Sequence, residues 1–99
     1  MLLIVGTVRL PAAALDAARP GMASMIEASR AEAGCLEYSY AEDVLDRGLI
    51  HVKERWTDRK ALDGHFNSAH IAVWRDAGAS IGIRERNLRL YEVGEPQPI

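Results

Sequence analysis

The sequence predicts an α+β domain with the element order β-α-β-β-α-β, and three observations carry that expectation. Apolar residues alternate with period two in several short runs. Helical spacing takes over between those runs, and Gly, Pro or Asp marks each handover. At 99 residues the chain has room for one core, which must serve both stability and function.

Residues 2–10 are rich in Leu, Ile and Val, and Pro11 ends the run because it has no N–H for a ladder, which predicts strand one. From Ala12 to Ala33, Leu15, Ala18, Met22, Met25, Ile26 and Ser29 fall on one side at helical spacing. Pro20 sits inside that stretch, so either the helix bends there or the residues before Arg19 form a separate turn. Gly34 marks the helix end, and in "CLEYSYAED" Leu36, Tyr38 and Tyr40 alternate with Cys35, Glu37, Ser39 and Ala41. Asp46, Arg47 and Gly48 supply turn chemistry before "LIHVKERW", which sets Ile50, Val52, Glu54 and Trp56 on one face and His51, Lys53 and Arg55 on the other. Strands two and three are therefore expected to form a hairpin.

Thr57 or Asp58 can cap the next helix, whose apolar side carries Leu62, His65 and Phe66. Asn67 and Ser68 interrupt or recap it. A further helical piece is expected from Ala69 to Ala77 with Ile71 and Trp74 inward, and Gly78 and Gly82 are expected to loosen the chain before "IRERNLRLYEV", strand four. Residues 1–94 are read as the domain and 95–99 as a short, poorly ordered tail. This order is the split pattern of ferredoxin-like folds, a four-stranded antiparallel sheet with helices on one face. Both strand faces carry apolar residues and only two helical regions are available, so a second subunit's sheet is the expected cover.

Composition excludes several functions. With 12 Lys plus Arg against 14 Asp plus Glu, the formal net charge is −2, and the basic residues are scattered except in "RERNLR", where Glu85 and Asn87 interrupt them. Nothing in that balance recruits nucleic acid or an anionic membrane. The single Cys35 cannot form an intrachain disulfide, and there is no CxxC pair or Cys/His zinc spacing, which fits a reducing cytoplasm. "MLLIVGTVRL" lacks a basic leader and its apolar run ends at Gly6, so it reads as a strand rather than a signal peptide or membrane span.

The chemistry-bearing residues gather around "ERWTDRKALDGHFNSAH" (54–70). Trp56 is either a core aromatic or a pocket wall that stacks on an aromatic ligand and donates one hydrogen bond. His65 is either a satisfied core histidine or a proton acceptor in apolar surroundings. Glu54 shares Trp56's face as a buried, paired carboxylate or as a pocket acid. Tyr38 and Tyr40 share one strand face, where a hydroxyl can orient a ligand. His70 follows a helix break and is read as a cap, a solvent contact or a pocket residue. His51 lies on the face opposite Trp56. Arg84 and Arg86 on strand four are either surface ion pairs or partners for an anionic ligand.

"EAGCLEYSYAED" followed by "GLIHVKERWTDRKALDGHFNSAH", together with Arg19-Pro20 and the closing "LRLYEV", resembles the antibiotic biosynthesis monooxygenase domain family, in particular its small single-domain members assigned as quinol monooxygenases. The resemblance covers nearly the whole chain. It implies a homodimeric α+β barrel, a pocket between sheet and helices, and oxidation of a small aromatic substrate (a quinol, an anthrone or a related phenol) by molecular oxygen with no metal, flavin or other cofactor. It sets His65 at the "ALxxHF" position typical of the family and gives Trp56 the role of a strand Trp in some family oxygenases; from the residues, His65 is read as the catalytic proton acceptor, with Trp56, Tyr38, Glu54, Phe66, His70 and Arg86 as substrate-binding candidates. It also argues against haem degradation, because Arg75 occupies the position matching a haem-ligating His, and Arg cannot ligate iron. Fold does not establish activity, so two other classes stay open: a non-catalytic dimeric binding or stress-response protein, and an isomerase of a small metabolite.

Overall fold

A computed structural model describes all of residues 1–99. Strand β1 (Leu2–Arg9) runs into a 3-10 turn (Ala12–Ala14) and helix α1 (Leu15–Arg30). Strands β2 (Cys35–Glu42) and β3 (Leu49–Trp56) follow, then helices α2 (Arg59–Phe66) and α3 (Ala69–Ile81) and strand β4 (Arg84–Glu92). The sheet order is β2-β3-β1-β4 with every pair antiparallel, the ferredoxin-like arrangement that the alternation predicts.

One sheet face packs under the helices. Leu2, Ile4 and Val8 of β1, Ile50, Val52 and Trp56 of β3, and Tyr38 of β2 join Leu15, Ala18, Met22 and Met25 of α1, Leu62 of α2, and Ile71 and Trp74 of α3 in one core cluster. Burying each large apolar side chain is worth about 1.5–3 kcal/mol, so this shared face holds the helices to the sheet. The opposite face carries Leu3, Val5 and Tyr91 among Lys53, Arg55 and Arg89, so apolar residues stand on both faces of the sheet, as the alternation predicts, mixed on this one with charge.

The structure differs from the sequence reading at several points, each with a local cause. The first helical stretch is split: the Ala12–Ala14 turn precedes α1, and Pro20 is accommodated inside the helix. A register shift between Cys35 and Glu37 breaks the alternation of β2, so Leu36 does not share the buried face of Tyr38 but is exposed. Helix α3 continues to Ile81, past the expected stop at Ala77. Gly78 is buried within it, where an added Cβ would sit 3.0 Å from Ile83 Cδ1, so this glycine permits close packing rather than loosening the chain. Gly82 is the true terminator, with φ 95° at the C-cap. Of the two candidate caps, Asp58 accepts the Ala61 N–H at 2.9 Å, and Ser68 caps α3 through the Ile71 N–H at 3.4 Å. Strand β4 ends at Glu92, Val93 N–H donates to Met1 O at 2.9 Å, and residues 94–99 are exposed without regular structure.

Candidate functional site

The site forms where β2 and β3 meet the short helix α2. The β2–β3 register sets Tyr38 opposite Glu54, and period two along β3 sets Trp56 beside Glu54 on the inner face. The turn after α1 closes down on this corner through Gly34, whose φ is 83° and whose carbonyl accepts the Thr57 N–H at 2.9 Å. A Cβ at Gly34 would stand 2.5 Å from Ala61 Cβ and 2.7 Å from Thr57 Oγ1, so only glycine lets the turn approach α2 this closely. That approach brings Glu32 onto the end of α2.

His65 is the centre of the arrangement. It is 3% exposed, with ring centroids of Trp56 at 4.7 Å, Tyr38 at 5.3 Å and Phe66 at 5.9 Å. Its Nδ1 lies 2.8 Å from Glu32 Oε2, in hydrogen-bonding geometry. A carboxylate only accepts, so Nδ1–H donates and the lone pair falls on Nε2. Nε2 is 4.0 Å from Glu54 Oε1, too far for a hydrogen bond, and the same Glu54 oxygen accepts the Trp56 indole N–H at 3.1 Å. Burial pushes the His65 imidazole below its ordinary pKa, and the hydrogen bond to Glu32 opposes that shift. Burial pushes the Glu54 carboxyl up, opposed by the Trp56 hydrogen bond and the Arg86 charge. A neutral base and a carboxyl group with a raised pKa therefore face each other across a short gap. Desolvation also raises the pKa of the Tyr38 and Tyr40 phenols, which stay protonated and available as donors.

Between the sheet and the helices this corner opens into a narrow cleft of about 40 Å³, lined by Tyr38, Tyr40, Glu54, His65, Phe66 and Trp74, with Arg75 and Arg86 also at its wall. That volume holds roughly one or two water molecules. Phe66 is 39% exposed rather than packed inward, and the Arg75 guanidinium lies 5.8 Å from its ring centroid. Arg86 is exposed on β4.

The structure thus brings His65, Tyr38, Glu54, Phe66 and Arg86 of the sequence-derived set around one cleft, whereas Trp56, at 0% exposure, lies in the core behind it and reaches the site through its hydrogen bond to Glu54 and its ring beside His65. His70 stands apart from it, on the outer side of His65, with its Nε2 2.8 Å from Glu32 Oε1. His51 is exposed and pairs with Asp43 at 2.8 Å. Glu32 escaped the sequence reading. It sits in a turn with no periodicity to mark it, and only the 33-residue separation closed by Gly34 makes it His65's partner. Tyr40 and Trp74 form a T-shaped pair at 6.4 Å on the cleft's far wall.

A ferredoxin-like sheet with an imidazole and a carboxyl buried beside its aromatic corner defines a class of small α+β proteins with a site between sheet and helices. Within that class, the sequence pattern of the antibiotic biosynthesis monooxygenase (ABM) family matches residues 1–77, and the chain belongs to this family. Uncharacterized protein sll1783 from Synechocystis is 29% identical over 76 residues, 77% of this chain and 52% of that protein, so the chain spans about half the length of the curated relative it matches. A crystal structure from Deinococcus radiodurans, whose name offers antibiotic biosynthesis monooxygenase as an unproven assignment, superposes with a TM-score of 0.90 at 26% identity, covering 100% of this chain and 98% of that one. Rv0793 from Mycobacterium tuberculosis superposes with a TM-score of 0.84 at 26% identity over 98% of each chain. No helix is long and apolar enough to cross a membrane.

Proposed function

We propose that this chain is a cofactor-independent monooxygenase that oxidises a quinol, anthrone or related phenol with molecular oxygen, acting as a homodimer packed sheet to sheet. The observation that supports it most is the orientation of His65: Glu32 occupies Nδ1, which leaves the Nε2 lone pair toward the cleft and Glu54. An oxygen atom about 2.8 Å from each group fits across the 4.0 Å gap, which is where a phenolic hydroxyl would be deprotonated. Triplet oxygen reacts slowly with closed-shell organics, so the substrate must become an electron donor by losing that proton. The resulting anion passes an electron to oxygen. Recombination joins the superoxide to the ring carbon as a peroxide; after protonation its O–O bond breaks as the remaining C–H proton is lost, which converts a CH₂ to C=O in an anthrone and releases the distal oxygen as water.

Tyr38 positions the ring, Trp56 holds the Glu54 carboxyl in place from the core, Arg86 faces the anion from β4, and the apolar walls keep water from the radical pair. The cleft is too small for a ring as it stands, so Phe66 at its mouth must turn aside on binding. The same small volume favours a second reading, isomerisation of a small metabolite by the His65–Glu54 pair, which needs no oxygen.

Oxygen uptake with a panel of quinols and anthrones, in chelator-treated buffer, tests the proposal. Uptake is expected, lowered by about 10²- to 10⁴-fold in His65→Gln. Absence of uptake across the panel, or turnover that persists anaerobically, overturns the monooxygenase reading. A monomer by light scattering at micromolar concentration overturns the dimer.

A further inference from the structure

We propose that Glu32, His65 and His70 form a binding site for one divalent transition-metal ion of the zinc class, on the opposite side of His65 from the cleft. Three separate elements deliver the ligands: the turn after α1, the last turn of α2 and the first turn of α3. One donor atom from each lies within 4.8 Å of the other two.

Hydrogen bonding accounts for only part of this cluster. Glu32 Oε2 is 2.8 Å from His65 Nδ1, and Glu32 Oε1 is 2.8 Å from His70 Nε2. The first contact is a hydrogen bond. The second is close enough to be one but is misaligned, and His70 Nε2 is buried without any hydrogen-bond partner. That leaves a buried, unpartnered ring nitrogen beside a carboxylate and a second imidazole nitrogen, the donor set an ion would take. Donor atoms bound at about 2.0–2.1 Å around a tetrahedral ion stand about 3.3–3.4 Å apart, so an entering ion would spread the two 2.8 Å separations by about half an ångström, within reach of side-chain adjustment.

The surroundings suit a cation. The Glu32 carboxylate offsets part of the ion's charge. An open groove of about 470 Å³, lined by Glu32, Gly34, Thr57, Asp58, Lys60 and His65 among others, gives an entry path and room for coordinated water. The donor set of two histidines and one carboxylate selects imidazole-preferring ions over Mg²⁺ or Ca²⁺.

This site goes beyond the oxygenase reading and is partly independent of it. An ion on Nδ1 displaces the proton to Nε2 and so removes the cleft's proton acceptor, which makes the metal-bound form inactive. That consequence alone rests on the oxygenase reading.

The test is titration of chelator-stripped full-length protein with Co²⁺, read by its visible absorption, followed by displacement with Zn²⁺. One Co²⁺ per chain is expected. Glu32→Gln and His70→Ala should each weaken binding by more than the about 10- to 100-fold typical of losing an outer-sphere partner, and His51→Ala should change nothing. Long-range ¹H–¹⁵N spectra of the wild type remove any dependence on variant folding: Zn²⁺ should shift His65 Nδ1 and His70 Nε2 and leave His51 in place. No saturating absorption change, binding that survives both variants, or a shift at His51 in place of His65 and His70 overturns the site. Metal binding without loss of quinol turnover would leave the site standing and count against His65 as the proton acceptor.

Discussion

The Trp56 indole donates to Glu54 two residues earlier on the same strand face, and the pair is almost wholly buried, with Trp56 at 0% exposure and Glu54 at 5%. Each member is what makes the other tolerable there. Without the carboxyl, an indole N–H would be stranded under α2; without the indole, a carboxyl would lose its direct hydrogen bond within the core.

Trp56→Phe should therefore destabilise the fold by about 1–3 kcal/mol through the unsatisfied carboxyl, with a further contribution from the smaller ring. Trp56→Phe combined with Glu54→Leu should cost less than the sum of the single changes, because the double variant strands neither partner. Urea melts of the four proteins check this. Simple additivity would mean that the hydrogen bond contributes nothing distinct from packing.

A second pair governs the opposite end of the sheet. Arg9 forks onto Asp46 at 2.8 and 3.1 Å and also reaches Glu85 at 3.0 Å, tying β1 to the β2–β3 turn and to β4. The hydrogen bond and charge of Arg9 hold the Asp46 carboxyl below its ordinary pKa. A depressed folded-state pKa means that the unfolded chain takes up the proton first as the pH falls. The stabilisation is thus fully present above about pH 4–5 and is lost as the pH drops from the unfolded value of about 3.9 through the folded one. Asp46→Asn should lower Tm at pH 7 and converge with the wild type toward pH 2. A gap that stays constant over that range would rule out the linkage.

Two glycines make a matched backbone test. An added Cβ at Gly6, φ 154°, collides with the Asn87 carbonyl of β4, whereas Gly21 on the exposed side of α1 has nothing near its Cβ. Gly6→Ala should destabilise by more than about 1 kcal/mol and weaken amide protection along β4. Gly21→Ala should stabilise by about 0.4–1 kcal/mol. Thermal melts and hydrogen exchange decide both, and a neutral Gly6→Ala would show that the β1–β4 ladder yields at little cost.

What the sequence revealed and what it hid follow from the range of the forces involved. Period-two alternation is local, so Ile50, Val52, Glu54 and Trp56 were legible as one inward face, and so was the association of His65 with Leu62 on α2. The exposure of Leu36 was hidden because a bulge inserts a residue without changing composition. Gly78 reads as a breaker in a linear scan, and only the later arrival of Ile83 shows that it is a packing site. Glu32 is the sharpest case. Its role is created by tertiary closure of the Gly34 turn onto α2, and no spacing among 32, 65 and 70 announces it.

Phe66 offers the most direct probe of the cleft. Its ring is 39% exposed, lines the mouth with Arg86, and holds Arg75 5.8 Å from its centroid. Phe66→Ala removes that cation–π contact, worth about 0.5–1 kcal/mol at an exposed site, and should cost far less stability than the about 3–5 kcal/mol of a fully buried Phe. It should also open the cleft beyond its present 40 Å³, leaving the His65 hydrogen bond to Glu32 in place. The expected outcome is a lower KM for two-ring than for one-ring quinols, with kcat for the one-ring substrates little changed. Steady-state oxygen uptake with a matched substrate pair measures that ratio. If it is the same in Phe66→Ala as in the wild type, substrate does not enter past Phe66, and the proposed placement of the ring beside Tyr38 in the cleft fails.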